Sequence, residues 1–224
     1  MPDPQAAYHA LSGKLAQKGV TLVAVSKTRT SAAIRALYDL GHRDFGENYV
    51  QELVAKAAEL PPDIRWHFIG HLQTNKVKQV VPLVQLIHGV DSLRLLQAID
   101  RESRKAGRTG SCLLQVHIAR EETKFGLNES ELMALVRSLP EYGNVVVKGL
   151  MGMASLTEDR ERIRAEFRQL KGLFDRCNAL GAGFTVLSMG MSADYDLAIE
   201  AGSTMVRIGS LLFGERGKNQ DLHL

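Results

Sequence analysis

The chain has only two cysteines, Cys112 and Cys177, and they form neither a C-x-x-C pair nor the framework of a small disulfide-stapled fold. A reducing, cytoplasmic setting with two buried thiols is the expectation. Nowhere does an apolar run approach the roughly 18 residues that a membrane span requires. The opening MPDPQAAYHALSGKL has no basic stretch leading into an apolar one, so neither a membrane contact nor a secretory leader is expected. Glycine-rich phosphate loops are missing too. No G-x-G-x-x-G and no P-loop pattern occurs, which excludes the usual dinucleotide and nucleoside-triphosphate sites. Charge is weak and scattered, +3 in total, so there is no basic stripe for nucleic acid, and one small-anion site is enough to explain the balance. No linker, low-complexity stretch or composition break divides the 224 residues. One domain over 1–224 is therefore expected, large enough for one sizeable core.

What is present is a rhythm. After an amphipathic lead-in helix over 5–18, with Tyr8, Leu11 and Leu15 on one face, short apolar and β-branched runs recur at 21–26, 65–69, 84–88, 112–118, 145–151, 184–189 and 204–208. A weaker run at 43–46 follows Gly41, which ends a helix carrying Ile34, Leu37 and Tyr38. Helix-period segments separate these eight runs, with start signals at Thr30, Asn48, Thr74, Ser92, Asn128 with Glu131, Asp159 and Ser192. The spacing is about 28 residues per unit, close to the roughly 30 of a closed barrel with tight loops. The predicted fold is α/β, a single (β/α)8 TIM barrel. An open doubly wound sheet is the rival, but its first strand-to-helix turn carries a glycine-rich loop, whereas this turn reads SKTRTS.

A barrel of this kind works at the C-terminal ends of its strands. The first strand runs through Leu22, Val23, Ala24 and Val25 into Ser26, Lys27 and Thr28, which puts Lys27 at the mouth. The seventh ends in Ser188, Met189, Gly190, Met191 and Ser192, with a helix predicted from about Ala193, and the eighth in Arg207, Ile208, Gly209 and Ser210. Small residues, hydroxyls and open backbone N–H groups there make an anion cradle, in the place where barrels bind phosphate. Strand one closes beside strand eight, so lysine and cradle face one space. That pairing points to a carbonyl-bearing phosphate captured as an imine. The amine attacks only when neutral, and burial together with Arg207 is expected to lower its ordinary value of about 10.4.

The motifs AVSKT at Ala24–Thr28, FGENYVQE at Phe45–Glu52, WHFIGHLQTNK at Trp66–Lys76, GLMGM at Gly149–Met153, LSMGMSADYDLAI at Leu187–Ile199 and RIGSLLFGER at Arg207–Arg216 span almost the whole chain. Through them it resembles the pyridoxal 5'-phosphate (PLP) homeostasis protein family, also called proline synthetase co-transcribed homologues. The resemblance implies the barrel of the alanine racemase type (PLP fold type III), with PLP joined to Lys27 as a Schiff base. It implies Ser192, Gly209 and Ser210 as phosphate ligands within the stretch Ser188, Gly190, Met191 and Ser192, Arg207 facing the pyridine nitrogen, and Asn48, His71 and Met153 near the ring. One segment departs from the pattern. VHIAREETKFGL at Val116–Leu127 keeps Lys124 and Gly126 but has His117 where asparagine is expected and Phe125 where a small residue is expected.

Other constellations read as structural. His67 and His71 straddle a strand end, where a spacing of four does not align two metal ligands, so no metal is expected. His88 and Asp91 could pair, but a cap at Asp91 or Ser92 is the plainer reading. Glu47 and Glu52 read as solvated or dipole-favoured charges at a helix start. Amino-acid racemization, the alternative function, needs a second proton carrier, which barrel racemases take as a tyrosine from an added β-domain. With about 14 residues beyond Ser210, that domain is not expected. Tyr49 and Tyr195 are the only tyrosines near strand ends, and both read as helix-packing residues. The expectation is a monomeric PLP-binding protein without strong catalysis, which serves vitamin B6 homeostasis and supplies apo-enzymes.

Overall fold

In the computed structural model, which describes residues 4–121 and 125–214, eight parallel strands close in sequence order into a barrel. They are β1 (Thr21–Val25), β2 (Asp44–Glu47), β3 (Arg65–Phe68), β4 (Val84–Val90), β5 (Gly110–Gln115), β6 (Val145–Met151), β7 (Val186–Ser188) and β8 (Met205–Ile208). The lead-in helix α1 (Pro4–Gln17) precedes them, and α2 (Ser31–Asp39), α3 (Val50–Glu59), α4 (Val77–Val80), α5 (Leu93–Lys105), α6 (Glu129–Ser138), α7 (Arg160–Ala179), α8 (Tyr195–Glu200) and α9 (Ser210–Phe213) follow successive strands. The (β/α)8 expectation is met, including the weak second strand. Closure runs through β1 and β8, where Val23 lies opposite Arg207 and Ala24 opposite Ile208. Among the described residues, no helix is long and apolar enough to cross a membrane.

Strand alternation sorts the side chains. Leu22, Ala24, Phe45, Trp66, Phe68, Val206 and Ile208 face outward into the main core under the helices, which Tyr8, Leu11 and Leu15 of α1 also join. Val23, Leu86, Leu113, Met151 and Met205 face inward and pack as a separate cluster inside the barrel. Every second residue of a strand thus leads from this plug toward a barrel mouth. Both cysteines are free and buried, as expected.

Four helix starts stand where their caps predict. Thr30, Ser92, Asn128 and Asp159 each accept from a backbone N–H three residues on, and Asn128 with Glu131 completes a capping box. Three do not. α3 begins at Val50, with Tyr49 rather than Asn48 in the cap position. Thr74 lies within a 3-10 turn, Thr74–Lys76, that follows Gln73. α8 begins at Tyr195, because Asp194 folds back to accept from Met191 N–H at 2.6 Å and closes a turn ahead of the helix. Strands 5 and 7 also shift. β5 starts at Gly110 and ends at Gln115, with Val116 only bridged to Leu127, and β7 is trimmed at both ends.

Candidate functional site

A cavity of about 330 Å3 opens at the C-terminal ends of the strands, a size suited to a small ligand. It is lined by Val25, Lys27, Arg29, Asn48, Ile69, Met153, Met191, Ser192, Ala193, Arg207, Gly209 and Ser210. Of the residues singled out from the sequence, Lys27, Asn48, Met153, Met191, Ser192, Arg207, Gly209 and Ser210 therefore share one wall, while Ser188, Gly190 and His71 lie off it. Arg29, which sequence reasoning passed over, reaches the same space, and its guanidinium donates to the carbonyl oxygens of Phe213 and Gly214.

Lys27 is half-buried on a segment held from beneath. Lys56 Nζ donates to Ser26 O at 3.0 Å, to Glu47 Oε1 at 2.9 Å and to Glu52 Oε2 at 2.6 Å. Ser26 Oγ donates to the same Glu47 oxygen at 2.5 Å, and Thr28 N–H donates to Glu52 Oε2 at 2.8 Å. The reading of Glu47 and Glu52 as solvated charges is thereby corrected. Glu47 is fully buried on the outer face of β2 beneath α3, and burial pushes its carboxyl up to about 7 even though Lys56 and Ser26 pull it down. Burial also acts on Glu52, but the bonds from Lys56 and Thr28 outweigh it and hold that carboxyl below the ordinary value. Thr28 is the one non-glycine residue with positive φ (61°) among those described. A β-branched residue there is strained, which marks a backbone constrained by its surroundings.

Arg207 enters the cavity from within the barrel, buried at 4% exposure. Its Nη1 donates to Ser188 O (2.9 Å) and Ser188 Oγ (2.7 Å), and its Nη2 to Gly152 O (3.1 Å). Burial lowers the guanidinium to about 10 against the pull of Asp194. Ser188, wholly buried, thus holds Arg207 from behind the cavity. Gly190 serves the backbone. It has φ +96°, and a Cβ there would lie 2.6 Å from Ala198 Cβ, so no other residue lets the β7 end pack on α8. Gly70 does the same for Asn48, whose carbonyl oxygen would sit 2.4 Å from a Cβ at that position.

On the anion side, Ser192 Oγ accepts from Gly209 N–H at 3.3 Å, which ties the β7 and β8 loops together beside Ser210 at the start of α9. Asn48 Oδ1 is buried without a partner. His71 stands apart, its side chain 48% exposed, paired with Asp91 (3.2 Å) and stacked on Phe125 at 4.6 Å. His88 and Asp91 therefore do not pair with each other, and Ser92 is the helix cap. His117 Nε2 lies 2.9 Å from Glu121 O, and Lys124 falls outside the described residues. Tyr195 packs under Lys14 of α1, 5.1 Å from Nζ to ring centroid, and Tyr49 is exposed, so neither lines the cavity.

With this geometry in hand, the comparisons with known proteins decide the family. The alanine racemase N-terminal domain family matches residues 5–217. A pyridoxal phosphate homeostasis protein of Aquifex aeolicus (strain VF5) is 42% identical over 197 residues, covering 87% of this chain and 86% of that one. The chain belongs to the pyridoxal phosphate homeostasis protein family. Among solved structures, PipY of Synechococcus elongatus PCC7942 without PLP superposes with a TM-score of 0.90 at 38% identity, covering 95% of this chain and 100% of that one. The same protein with PLP bound gives 0.88 at 37% identity, with the same coverage. An alanine racemase of Clostridium difficile 630, at 13% identity and a TM-score of 0.72, covers 96% of this chain and 58% of that one, and shares the fold alone.

Proposed function

We propose that this member of the PLP homeostasis family binds PLP as a Schiff base on Lys27, works as a cytoplasmic monomer in intracellular PLP homeostasis, and passes the cofactor to apo-enzymes. The observation that carries the reading is that Lys27, two residues past the end of β1, and Arg207 from the adjoining β8 line one cavity together with Ser192, Gly209 and Ser210. The cofactor supplies an aldehyde, which a neutral amine captures with loss of water. The residues present fit it. Lys27 offers the amine, the hydroxyls of Ser192 and Ser210 and the backbone opening α9 offer donors to a phosphate, and Asn48 Oδ1 is a buried acceptor in want of a donor.

Arg207 weighs against transamination. A guanidinium only donates, so a ring nitrogen facing it would be kept unprotonated, and the electron sink that transamination uses would be weakened. Among the described residues, no tyrosine lines the cavity to serve as a second proton carrier. The test is an absorbance spectrum of wild type and Lys27→Ala, before and after borohydride reduction, with the reduced adduct mapped by mass. A yellow wild type whose adduct maps to Lys27, with a variant that yields none, is expected. A colourless preparation or an adduct elsewhere overturns the reading, and sustained loss of optical rotation with a chiral amino acid would favour a racemase. Delivery is tested by mixing the loaded chain with an apo PLP enzyme. Reactivation should outpace spontaneous release.

A further inference from the structure

Behind Arg207 a line of buried polar side chains crosses the barrel interior. Ser188 Oγ lies 3.2 Å from His88 Nδ1, His88 Nε2 lies 2.9 Å from His67 Nδ1, and His67 Nε2 lies 3.1 Å from Asp44 Oδ1. Asp44 is gripped in turn by Arg65, from Nε at 2.8 Å and Nη2 at 2.6 Å. One end of the line borders the cavity described above. At the other end, Asp44, Arg65 and His67 line a separate opening of about 410 Å3 at the N-terminal ends of the strands. We propose that Ser188, His88 and His67 form a one-way hydrogen-bonded relay, anchored on Asp44, that sets the direction of the Arg207 guanidinium from the far end of the barrel.

The direction follows from the two ends. Arginine has no acceptor, so Ser188 Oγ accepts from Arg207 and its own hydrogen is left for His88 Nδ1. Nδ1 of His88 therefore carries no proton, and His88 donates from Nε2 to His67 Nδ1. His67 likewise donates from Nε2 to Asp44. Burial pushes the Asp44 carboxyl up, but the bonds from Arg65 and His67 outweigh it and hold it well below the ordinary carboxylate range, so it serves as a pure acceptor. Both imidazoles are thus confined to the Nε2–H tautomer. Turning either ring to the other tautomer sets two donors face to face, and with Ser188 and His88 fully buried and His67 at 2% exposure, no water repairs the break.

The strands are shaped for this. A register shift lies between Trp66 and His67 in β3, and another between Ile87 and Val90 flanks His88 in β4. Bulges re-aim side chains, and these two turn the rings toward each other at a centroid distance of 5.2 Å. Beside the apolar cluster of Val23, Leu86, Leu113, Met151 and Met205, two histidines make poor packing residues. They make sense as spacers of fixed polarity between a carboxylate and a guanidinium. In these terms Ser188, His88, His67 and Asp44 are positioning residues. The effect on bound PLP rests on the function proposed above, whereas the tautomers and the Arg207 side-chain signal do not.

The test uses the full chain labelled with 15N at histidine and arginine. Wild type near neutral pH should show His67 and His88 each as a single Nε2–H tautomer. Asp44→Leu, which removes the acceptor, should mix the tautomers of both rings, shift the Arg207 Nε–H resonance, and speed release of bound PLP about five-fold, the size of effect of one net hydrogen bond. Asp44→Asn, whose Oδ1 still accepts, should restore all three to near wild type. Ser188→Ala cuts the line at the other end. It should shift the Arg207 resonance while Asp44 still holds both rings as Nε2–H, and adding Asp44→Leu to it should change release no further. An Nδ1–H tautomer or an imidazolium in either ring of wild type overturns the relay, as does an Arg207 resonance that Asp44→Leu and Ser188→Ala both leave in place. Equal release from Asp44→Leu and Asp44→Asn, with Arg207 shifted in the first alone, overturns its reach to the cofactor. A chain that takes up no PLP sinks the function proposed above, and the relay then stands or falls on the two resonance readouts.

Discussion

Lys56 Nζ lies 2.9 Å from Glu47 Oε1, both side chains nearly or wholly out of solvent, and the same ammonium reaches the carbonyl of Ser26 one residue before Lys27. An ion pair sealed between strand and helix contributes little net stability when intact, because desolvation offsets the attraction, but it is costly to halve. Here it also fixes the backbone that presents the lysine.

Lys56→Met keeps the aliphatic stem and removes the charge, leaving Glu47 and Glu52 facing each other without a cation. We expect a loss of about 3 kcal/mol in urea unfolding at pH 7. A change below about 1 kcal/mol would mean that the three bonds to Nζ are replaced by solvent.

Glu47 also makes stability depend on pH. Its folded value of about 7 stands above the ordinary 4.5, so between these values the folded chain holds a proton that the unfolded chain has released. The stability it contributes is complete below pH 4.5 and is lost as pH rises through 7, on the order of 3 kcal/mol in all. Glu47→Gln cannot titrate, so unfolding free energies measured at pH 5, 6, 7 and 8 should fall less steeply than those of wild type. Parallel profiles would show that Glu47 is ionised throughout.

Thr28→Gly tests the strain beside the lysine. Threonine at φ 61° costs about 1–2 kcal/mol relative to a residue without Cβ, and its Oγ1 is buried without a partner. Glycine relieves both at some expense in unfolded-chain entropy. The variant should gain about 1 kcal/mol of unfolding free energy in urea while binding PLP more weakly, since the turn then holds Lys27 less firmly. A loss of stability would show that the Thr28 conformation is not strained.

Much of the site was legible because a parallel strand dictates where its alternate residues go. Val23, Val25 and Lys27 form one inward file, Asp44, Gly46 and Asn48 another, and Met205, Arg207 and Gly209 a third. Reading strand ends was therefore enough to bring Lys27, Asn48 and Arg207 to one mouth. Glu47 was misread because its burial belongs to the packing of α3 on β2. The only local trace was Lys56, four residues past Glu52. Ser192 was misread as a helix cap because nothing local distinguishes it from Asp194, and the turn that Asp194 closes decides where α8 begins. The partnership of His67 and His88 was hidden by the register shifts, which no alternation pattern reveals, although two polar residues at inward positions of apolar strands were the available signal.

His88 gives the acid side of the profile. It is wholly buried, and desolvation, with the Arg207 cation nearby, holds its ring well below the ordinary 6.5, so it stays neutral in the folded chain. In the unfolded chain it takes up a proton below 6.5. The unfolded state then binds more protons than the folded one, and stability must fall as pH drops from 6.5 toward the folded value, at up to about 1.4 kcal/mol per pH unit from this one group. Asp44 adds to the loss only at lower pH, below its ordinary 3.8, because its folded carboxyl stays ionised to well beneath that. Glu47 titrates across the same window in either chain, so the difference between wild type and His88→Gln from pH 6.5 to 5 isolates this histidine. His88→Gln should be less stable than wild type at pH 7, where a well-paired ring is lost, yet fall less on acidification, so that the two urea-unfolding profiles converge toward pH 5. Profiles that stay parallel would mean that His88 protonates in place and that the interior of the barrel accepts a cation there.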